Sequence, residues 1–467
     1  MGNYYNELLK LCGFEDEEIN KEKLRIDKAF EKLALVPEDM KTAESWVRQN
    51  HDVELMGVRK LLGAWLKELI DLVLAKDEGK KVVYYGFPSI QGPGMMIKAA
   101  DPEGIYCACP DVILCFTLGQ IFNKLTPILE AGEENGLPPG HGMCSLQQIR
   151  IGGLDKGIIP VPDLVTGSSY YCDMGSKADE LLHEKYGHRA IYVDGSMDSR
   201  WGEYPDYSPQ RVEFLGSELN KLFDEVTQIL GVEVTSDAWD KAMTVSRELY
   251  TGIGQLDELM MADPMPVSQA EIGLATWFSR ASTGRAMTEG PAAVAILTQE
   301  IKKRIDEGIG VVEKGAPRVL SLITHFSDSS ITRMIENAGL AYCATVFSPR
   351  VREAEFKTAY TTWGEILAEV QMRRSIYHSS YGTVNRCVKA IEDLNVDGLI
   401  WNYMYNCRPV ALTSHFLKKW VEENTGIPTI SLEIDAYDSR SYSAGALRTR
   451  VEAFAEMLRV RKTVAKI

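Results

Sequence analysis

Short apolar runs rich in β-branched residues alternate with helical stretches along most of the chain, in two separate series. The runs are KVVYYG at 81–86, PDLVTG at 162–167, RAIYVDG at 189–195, RVLSLITH at 318–325, LAYCATVF at 340–347, DGLIWNYM at 397–404 and PTISLEID at 428–435. Alternating strands and helices indicate parallel strands that are joined by right-handed crossovers. The sequence therefore predicts an α/β fold with two doubly wound domains of similar pattern.

Two helical regions complete the predicted organisation. We expect an N-terminal helical region at 1–80, a first α/β domain at 81–207, a helical bridge at 208–312 and a second α/β domain at 313–467. The segment Thr42–Lys76 places apolar residues at three- and four-residue steps and contains no proline, which predicts one long amphipathic helix that packs on the rest of the protein.

Composition excludes several classes of function. The formal net charge of -15 over 467 residues opposes binding to phosphate backbones, so we expect no nucleic-acid partner. No run of about 18 apolar residues occurs, and the N-terminus lacks a basic-then-apolar secretory signal. We therefore expect a cytoplasmic protein without a membrane partner, which disfavours a two-lobed periplasmic ligand-binding protein.

Common catalytic motifs are absent from the sequence. The chain has no GxxxxGK[ST] loop for phosphate binding, no HExxH and no GxSxG. Gly92 and Gly94 follow the first predicted strand as QGPGMMI, but Ile97 stands where a dinucleotide fingerprint requires its third glycine. We expect a plain turn there, and we expect any ATP hydrolysis to reside on another protein.

The nine cysteines include no CxxC pair, which disfavours a structural zinc site. Cys107 and Cys109 form a CxC, whose side chains would point to opposite faces of a strand. Cys172 and Cys407 each follow a predicted strand and open a helix, and Cys144 follows a Gly/Pro-rich loop at another helix start. Helix starts beyond the strand ends favour anionic ligands. The three thiols are therefore candidates for an iron–sulfur cluster or, alternatively, buried helix caps.

Several longer segments carry a family resemblance. They are MCSLQQIR, PVPDLVTGSSYYCD, VDGLIWNYMYNCRP, GIPTISLEIDAYDSR and LRTRVEAFAEML. In order and spacing they resemble the subunits of 2-hydroxyacyl-CoA dehydratases and ATP-dependent benzoyl-CoA reductases over most of residues 81–460. The resemblance implies two Rossmann-like domains with added helices.

The resemblance also implies a cofactor and a chemistry. Cys144, Cys172 and Cys407 correspond to the cysteines that hold a four-iron four-sulfur cluster and leave one iron without a cysteine ligand. An oxygen-sensitive enzyme of this kind, a dehydratase (lyase) or a reductase, adds one electron to an acyl-CoA thioester. In a dehydratase the resulting ketyl radical expels the hydroxyl group. Tyr84, Ser89 and His141 are weak candidates for proton handling, and nothing in the sequence selects among them.

The partners implied by the resemblance are an ATP-hydrolysing activator that delivers the electron, an acyl-CoA substrate, and either a homologous second subunit or a second copy of the chain. An alternative is an electron-relay or structural subunit whose partner binds the substrate. The segment LEIDAYDSR, with Asp435, Asp438 and Arg440, either fixes the loop after the last strand or shapes the site.

The sequence departs from the family in the segment DPEGIYCACPDVILCF and in its longer N-terminal region. The chain also carries surplus thiols. These are Cys107, Cys109, Cys115, Cys343 and Cys387. A related branch uses six cysteines to bind a double-cubane cluster and reduces small molecules, so a double-cubane reductase is a further alternative.

Overall fold

The computed structural model describes residues 4–86, 91–135, 143–197, 199–322, 326–348 and 360–464. The strands in these residues form two four-stranded sheets in which every pairing is parallel. The first sheet comprises β1 (Lys81–Tyr85), β2 (Ile105–Ala108), β3 (Leu164–Ser168) and β4 (Arg189–Val193). The second comprises β5 (Arg318–Ser321), β6 (Ala341–Thr345), β7 (Gly398–Tyr403) and β8 (Thr429–Glu433).

The two sheets share one topology. Their strand orders are β2-β1-β3-β4 and β6-β5-β7-β8, so the order reverses beside the first strand of each sheet. Ligands of open parallel sheets bind beyond the carboxyl ends of the strands at such a reversal. The predicted α/β class and all seven predicted strands are confirmed, whereas the detailed winding of helices over both faces stays a prediction.

One strand, β2, was missed by the sequence pattern. Its four residues, Ile105–Ala108, precede an almost continuous apolar run that forms a helix, so periodicity alone does not separate strand from helix there. Cys107 lies in this strand, but Cys109 lies beyond it and caps the following helix. The CxC therefore spans the end of a strand rather than its interior.

Helices precede the first sheet and connect its strands. Before β1 lie α1 (Asn6–Leu11), α2 (Asp16–Lys32), α3 (Pro37–Asn50) and α4 (Met56–Leu74). Around the first sheet lie α5 (Gln91–Ala100), α6 (Pro110–Phe116), α7 (Thr126–Glu134), α8 (Ser145–Asp155) and α9 (Asp173–Tyr186). A π-helical turn at Thr117–Ile121 follows α6.

Residues 208–312, which the sequence predicts to be a helical bridge, form a run of helices without a strand. It comprises α10 (Pro209–Leu230), α11 (Ser236–Leu259), α12 (Gln269–Ala281), α13 (Arg285–Thr288) and α14 (Gly290–Glu307). Around the second sheet lie α15 (Ser329–Asn337), α16 (Trp363–Met372), α17 (Ser380–Leu394), α18 (Arg408–Ala411), α19 (Ser414–Thr425) and α20 (Ala444–Val464). The domain boundaries themselves stay predictions.

The prediction of one long helix over Thr42–Lys76 was wrong, because α3 ends at Asn50 and α4 begins at Met56. The buried carboxylate of Glu271 in α12 binds the residues at this break. Its Oε2 lies 2.9 Å from His51 Nδ1, and its Oε1 accepts a hydrogen bond from the backbone N–H of Asp52 at 3.0 Å. These tertiary bonds compensate for the helical bonds that are lost at the break.

The N-terminal helices are part of the common core. Trp65 of α4 stacks on Phe116 of α6 with ring centroids 5.6 Å apart, and its Nε1–H donates to the carbonyl of Leu274 in α12 at 3.1 Å. Gly94 in α5 lets that helix approach β1, since a Cβ there would lie 2.7 Å from the Tyr85 ring. Within the described segments, no helix combines the length and the apolarity that a membrane crossing requires.

Candidate functional site

Two of the candidate cysteines occupy equivalent places in the two sheets. Cys172 follows β3 and is the N-cap residue of α9, and Cys407 follows β7 and is the N-cap residue of α18. Both have the extended backbone that precedes a helix, with ψ of 107° for Cys172 and 96° for Cys407. The prediction that each thiol follows a strand and opens a helix is therefore confirmed.

Cys144 reaches the site from a different direction. It is the N-cap residue of α8, the last helix before β3, and its backbone is also extended, with ψ of 158°. All three cysteines thus stand at helix starts, where unpaired backbone N–H groups favour a thiolate. The backbone N–H of Gln147 donates to the carbonyl of Cys144, and that of Val410 donates to the carbonyl of Cys407, each at 3.1 Å.

Exposure separates these three thiols from the rest. Cys144, Cys172 and Cys407 are partly exposed, whereas the other six cysteines of the chain are buried. The buried ones are Cys12, Cys107, Cys109, Cys115, Cys343 and Cys387. Reactive or ligating cysteines lie in partly exposed surroundings, and buried ones behave as small apolar residues.

The three thiols are close enough to influence one another. Burial raises the pKa of Cys144 well above its usual value, and Cys172, Asp435 and Cys407 raise it further in that order. Burial likewise raises the pKa of Cys407 to about 12, with Cys172 as the next contribution. The structure therefore gathers thiols from both sheets into one electrostatically coupled group.

The donor set does not converge on a single ion. Among the described residues, no three His, Cys, Asp or Glu side chains are placed to hold one metal ion. A four-iron cluster has separate iron atoms, and each thiolate binds its own iron, so its ligands stand further apart than those of one ion. Three partly exposed thiols that influence one another are a donor set of the type that such a cluster uses.

Two tyrosines directly precede Cys172 and pack against a third. Tyr170 and Tyr171 precede it, and the ring centroids of Tyr170 and Tyr171 lie 5.4 Å and 6.0 Å from that of Tyr377. Tyr170 and Tyr377 are buried and Tyr171 is half-buried. Burial raises the pKa of Tyr171, and Cys407 and Cys172 add to the increase, which places this ring beside two of the three thiols.

The sequence analysis did not predict a buried ionic cluster between the helices that Cys144 and Cys172 open. Arg150 of α8 is 1% exposed. Its Nη2 lies 2.7 Å from Asp179 Oδ1 in α9, and its Nε lies 3.2 Å from Asp111 Oδ1 in α6. Because Cys144 and Cys172 cap α8 and α9, this ion pair joins two of the cysteine-bearing helices. The available signal was a lone arginine in the otherwise uncharged run SLQQIRIGGL at 145–154.

The structure describes one of the three weak candidates for proton handling. Tyr84 is fully buried in β1, and its hydroxyl donates to the carbonyl of Pro160 at 2.9 Å. That contact is structural, and burial raises the Tyr84 pKa well above its usual value. Ser89 and His141 lie outside the described residues.

The polar residues of the segment LEIDAYDSR make two separate sets of contacts. The guanidinium of Arg440 donates to both oxygens of Asp438 at 2.9 Å and also contacts Glu133 of α7 at 2.5 Å, which fixes the loop after β8. Asp435 instead contacts the residues beside two of the cysteines, Ser145 and Asn406. The loop-fixing interpretation therefore suits Asp438 and Arg440, and the site-shaping interpretation suits Asp435.

Comparison with known proteins identifies related sequences. Residues 62–458 match the family described as 2-hydroxyglutaryl-CoA dehydratase, D-component. The alpha subunit of (R)-2-hydroxyglutaryl-CoA dehydratase from Acidaminococcus fermentans is 19% identical over 309 residues, which cover 64% of this chain and 61% of that subunit. The alpha subunit of (R)-phenyllactyl-CoA dehydratase from Clostridium sporogenes is 21% identical over 396 residues, 83% of this chain and 92% of that subunit.

Proposed function

The chain belongs to the family of the 2-hydroxyglutaryl-CoA dehydratase D-component, and on that premise we propose that it is the iron–sulfur subunit of an enzyme that acts on acyl-CoA thioesters. The reaction is the dehydration of a 2-hydroxyacyl-CoA through one-electron chemistry. The observation that carries this proposal is the partly exposed group of Cys144, Cys172 and Cys407, which draws on both sheets.

The residues of the chain would divide the work at this site. The three cysteines would hold a four-iron cluster that, when bound, supplies one electron and an iron atom open to a substrate oxygen. The rings of Tyr170, Tyr171 and Tyr377 would form a wall beside it that limits access of water to a reactive radical. The Arg150–Asp179 pair would keep α8 and α9, and hence two of the ligands, in one arrangement.

The primary test is anaerobic purification followed by iron and sulfide counts per chain. We expect about four of each in the native protein, and loss of iron in Cys144→Ala, Cys172→Ala and Cys407→Ala. Cys12→Ala is the matched control, since Cys12 is buried away from this group. Full iron in all three variants would refute the ligand assignment, and about twice the expected iron would favour the double-cubane alternative.

Partners form the second part of the proposal. Both relatives are named as alpha subunits, which supports a second subunit for this chain. Binding of a CoA thioester to the isolated chain would favour a catalytic role, whereas binding only in a mixed complex would favour an electron-relay role.

An ATP-hydrolysing activator should be required for turnover, since the sequence lacks the phosphate-binding loop of P-loop ATPases. The assay combines protein, reductant, acyl-CoA and ATP, with and without the activator. Turnover without activator, or ATP hydrolysis by this chain alone, would contradict this division of labour.

A further inference from the structure

We propose that Asp435 is a positioning residue that sets the relative placement of Cys144 and Cys407 across the two sheets. This inference rests on the proposed function, because it concerns the same site. Asp435 follows β8, is 2% exposed, and lies in neither of the segments that carry the cysteines. It is therefore a third element that joins the other two.

The hydrogen bonds of Asp435 define this role. Its Oδ1 accepts from the Ser145 hydroxyl at 2.5 Å, and its Oδ2 accepts from the Asn406 amide Nδ2 at 2.8 Å. Ser145 directly follows Cys144, and Asn406 directly precedes Cys407. One buried carboxylate thus binds the immediate neighbours of two candidate ligands. One of these ligands opens a helix beside the first sheet, and the other opens a helix beside the second sheet.

Two further contacts reinforce the connection. Asn406 Nδ2 also lies 3.3 Å from the carbonyl of Met143, the residue before Cys144. The Asp435 side chain is itself held in place, since its Oδ1 accepts from the backbone N–H of Tyr437 at 3.0 Å. The carboxylate therefore has little freedom to follow a displaced neighbour, and it transmits the position of one cysteine segment to the other.

The choice of a carboxylate also indicates positioning. Donors surround both of its oxygens, and only an acceptor-only group satisfies them all.

The test exchanges the hydrogen-bond acceptor at position 435 and the donor at position 406. Asp435→Asn places an amide opposite the Asn406 amide, so the bond that holds Asn406 against Asp435 is lost, and with it the anchor of the Asn406 contact to Met143. The double variant Asp435→Asn/Asn406→Asp restores a carboxylate–amide pair with its polarity reversed. The measurement is the rate at which anaerobic, cluster-loaded protein loses iron to a chelator, together with the electron paramagnetic resonance spectrum of the reduced protein.

We expect Asp435→Asn to lose iron about ten times faster than the native protein and to show an altered spectrum, since a bond to a charged group is removed. The double variant should lose iron more slowly than Asp435→Asn but faster than the native protein, because position 406 then no longer donates to the Met143 carbonyl. Ser145→Ala, which keeps the charge and removes one hydrogen bond, should be about threefold faster than native. It also serves if Asp435→Asn does not fold.

The control is Asp438→Asn, three residues further along the same loop. It weakens the pair with Arg440 but touches neither cysteine segment in the contacts described, so its iron-loss rate should stay within about twofold of native. Native rates in both Asp435→Asn and Ser145→Ala would overturn this inference alone. Native protein without iron would overturn the proposed function and, with it, this inference.

Discussion

The two sheets repeat one strand order, yet they contribute unequally to the site. In each, the helix that follows the third strand in chain order starts with a cysteine, Cys172 after β3 and Cys407 after β7. The helix before that strand starts with Cys144 in the first half, but its counterpart α17 starts after Ser379 in the second. Shared topology therefore supplies equivalent positions, and the residue type at each decides which of them becomes a ligand.

The buried arginines on these two preceding helices differ in the same way. Arg150 of α8 pairs with Asp179 and Asp111, so it joins the helices that carry Cys144 and Cys172. Arg386 of α17 donates to the backbone carbonyls of Val346 and Ser348 at 3.0 Å and 2.9 Å, at the end of the neighbouring strand β6. Among the contacts described, Arg150 therefore pairs with side-chain charges, whereas Arg386 donates to main-chain carbonyls.

The largest expected effect comes from removing each arginine. Arg150→Met leaves buried carboxylates behind and should lower the free energy of unfolding by about 3–5 kcal/mol. Arg386→Met leaves neutral carbonyls without this donor and should cost about 1–3 kcal/mol. Anaerobic urea denaturation of both variants gives the two values. Equal losses of unfolding free energy would show that the ionic cluster of Arg150 stabilises the protein no more than the hydrogen bonds of Arg386 do.

A smaller effect is expected at Gly86, which follows β1. A Cβ at this position would overlap the Arg150 guanidinium and lie 3.2 Å from Asp179 Oδ2, so Gly86→Ala should displace the ion pair at a cost of about 1–3 kcal/mol. Gly254→Ala is the matched control in α11. Its Cβ meets no atom within 4 Å in the described structure, so helix propensity should make it neutral or stabilising by about 0.5–1 kcal/mol. Similar changes in unfolding free energy for the two variants would mean that the ion pair can shift at little cost.

The smallest effect is a pH dependence shared by the two halves. Burial raises the pKa of Asp179 to about 7 in the first half, and burial raises that of Glu336 to about 7 in the second. Each folded carboxyl holds its proton more tightly than the unfolded chain. Its contribution to stability is therefore complete below its unfolded pKa, about pH 4, and is lost as the pH rises through about 7.

Unfolding free energies measured from about pH 5 to about pH 8 should consequently decrease in the native protein. Asp179→Asn and Glu336→Gln should each reduce the slope, and their effects should add because the two groups belong to separate clusters. An unchanged slope in either variant would assign the pH dependence to other groups.

Much of the fold followed from local patterns. Seven strands were recognised because each is a short apolar run rich in β-branched residues between helical stretches, whereas β2 was missed since its four residues run into an apolar helix. The break at His51 was also missed, because the partner that captures it, Glu271, lies 220 residues away in sequence. Periodicity reports a local preference and is insensitive to a distant hydrogen bond.

The sequence by itself determined which thiols open helices after strands, because strand ends, turns and helix starts are encoded within a few residues. It also determined the family resemblance that singled out Cys144, Cys172 and Cys407. Only the tertiary structure decided that these three alone among the cysteines are partly exposed, and that they influence one another. It likewise decided that Asp435 and Arg150 join the segments that carry them. Such contacts join residues far apart in sequence, and their distances follow from how the sheets and helices pack rather than from any local pattern.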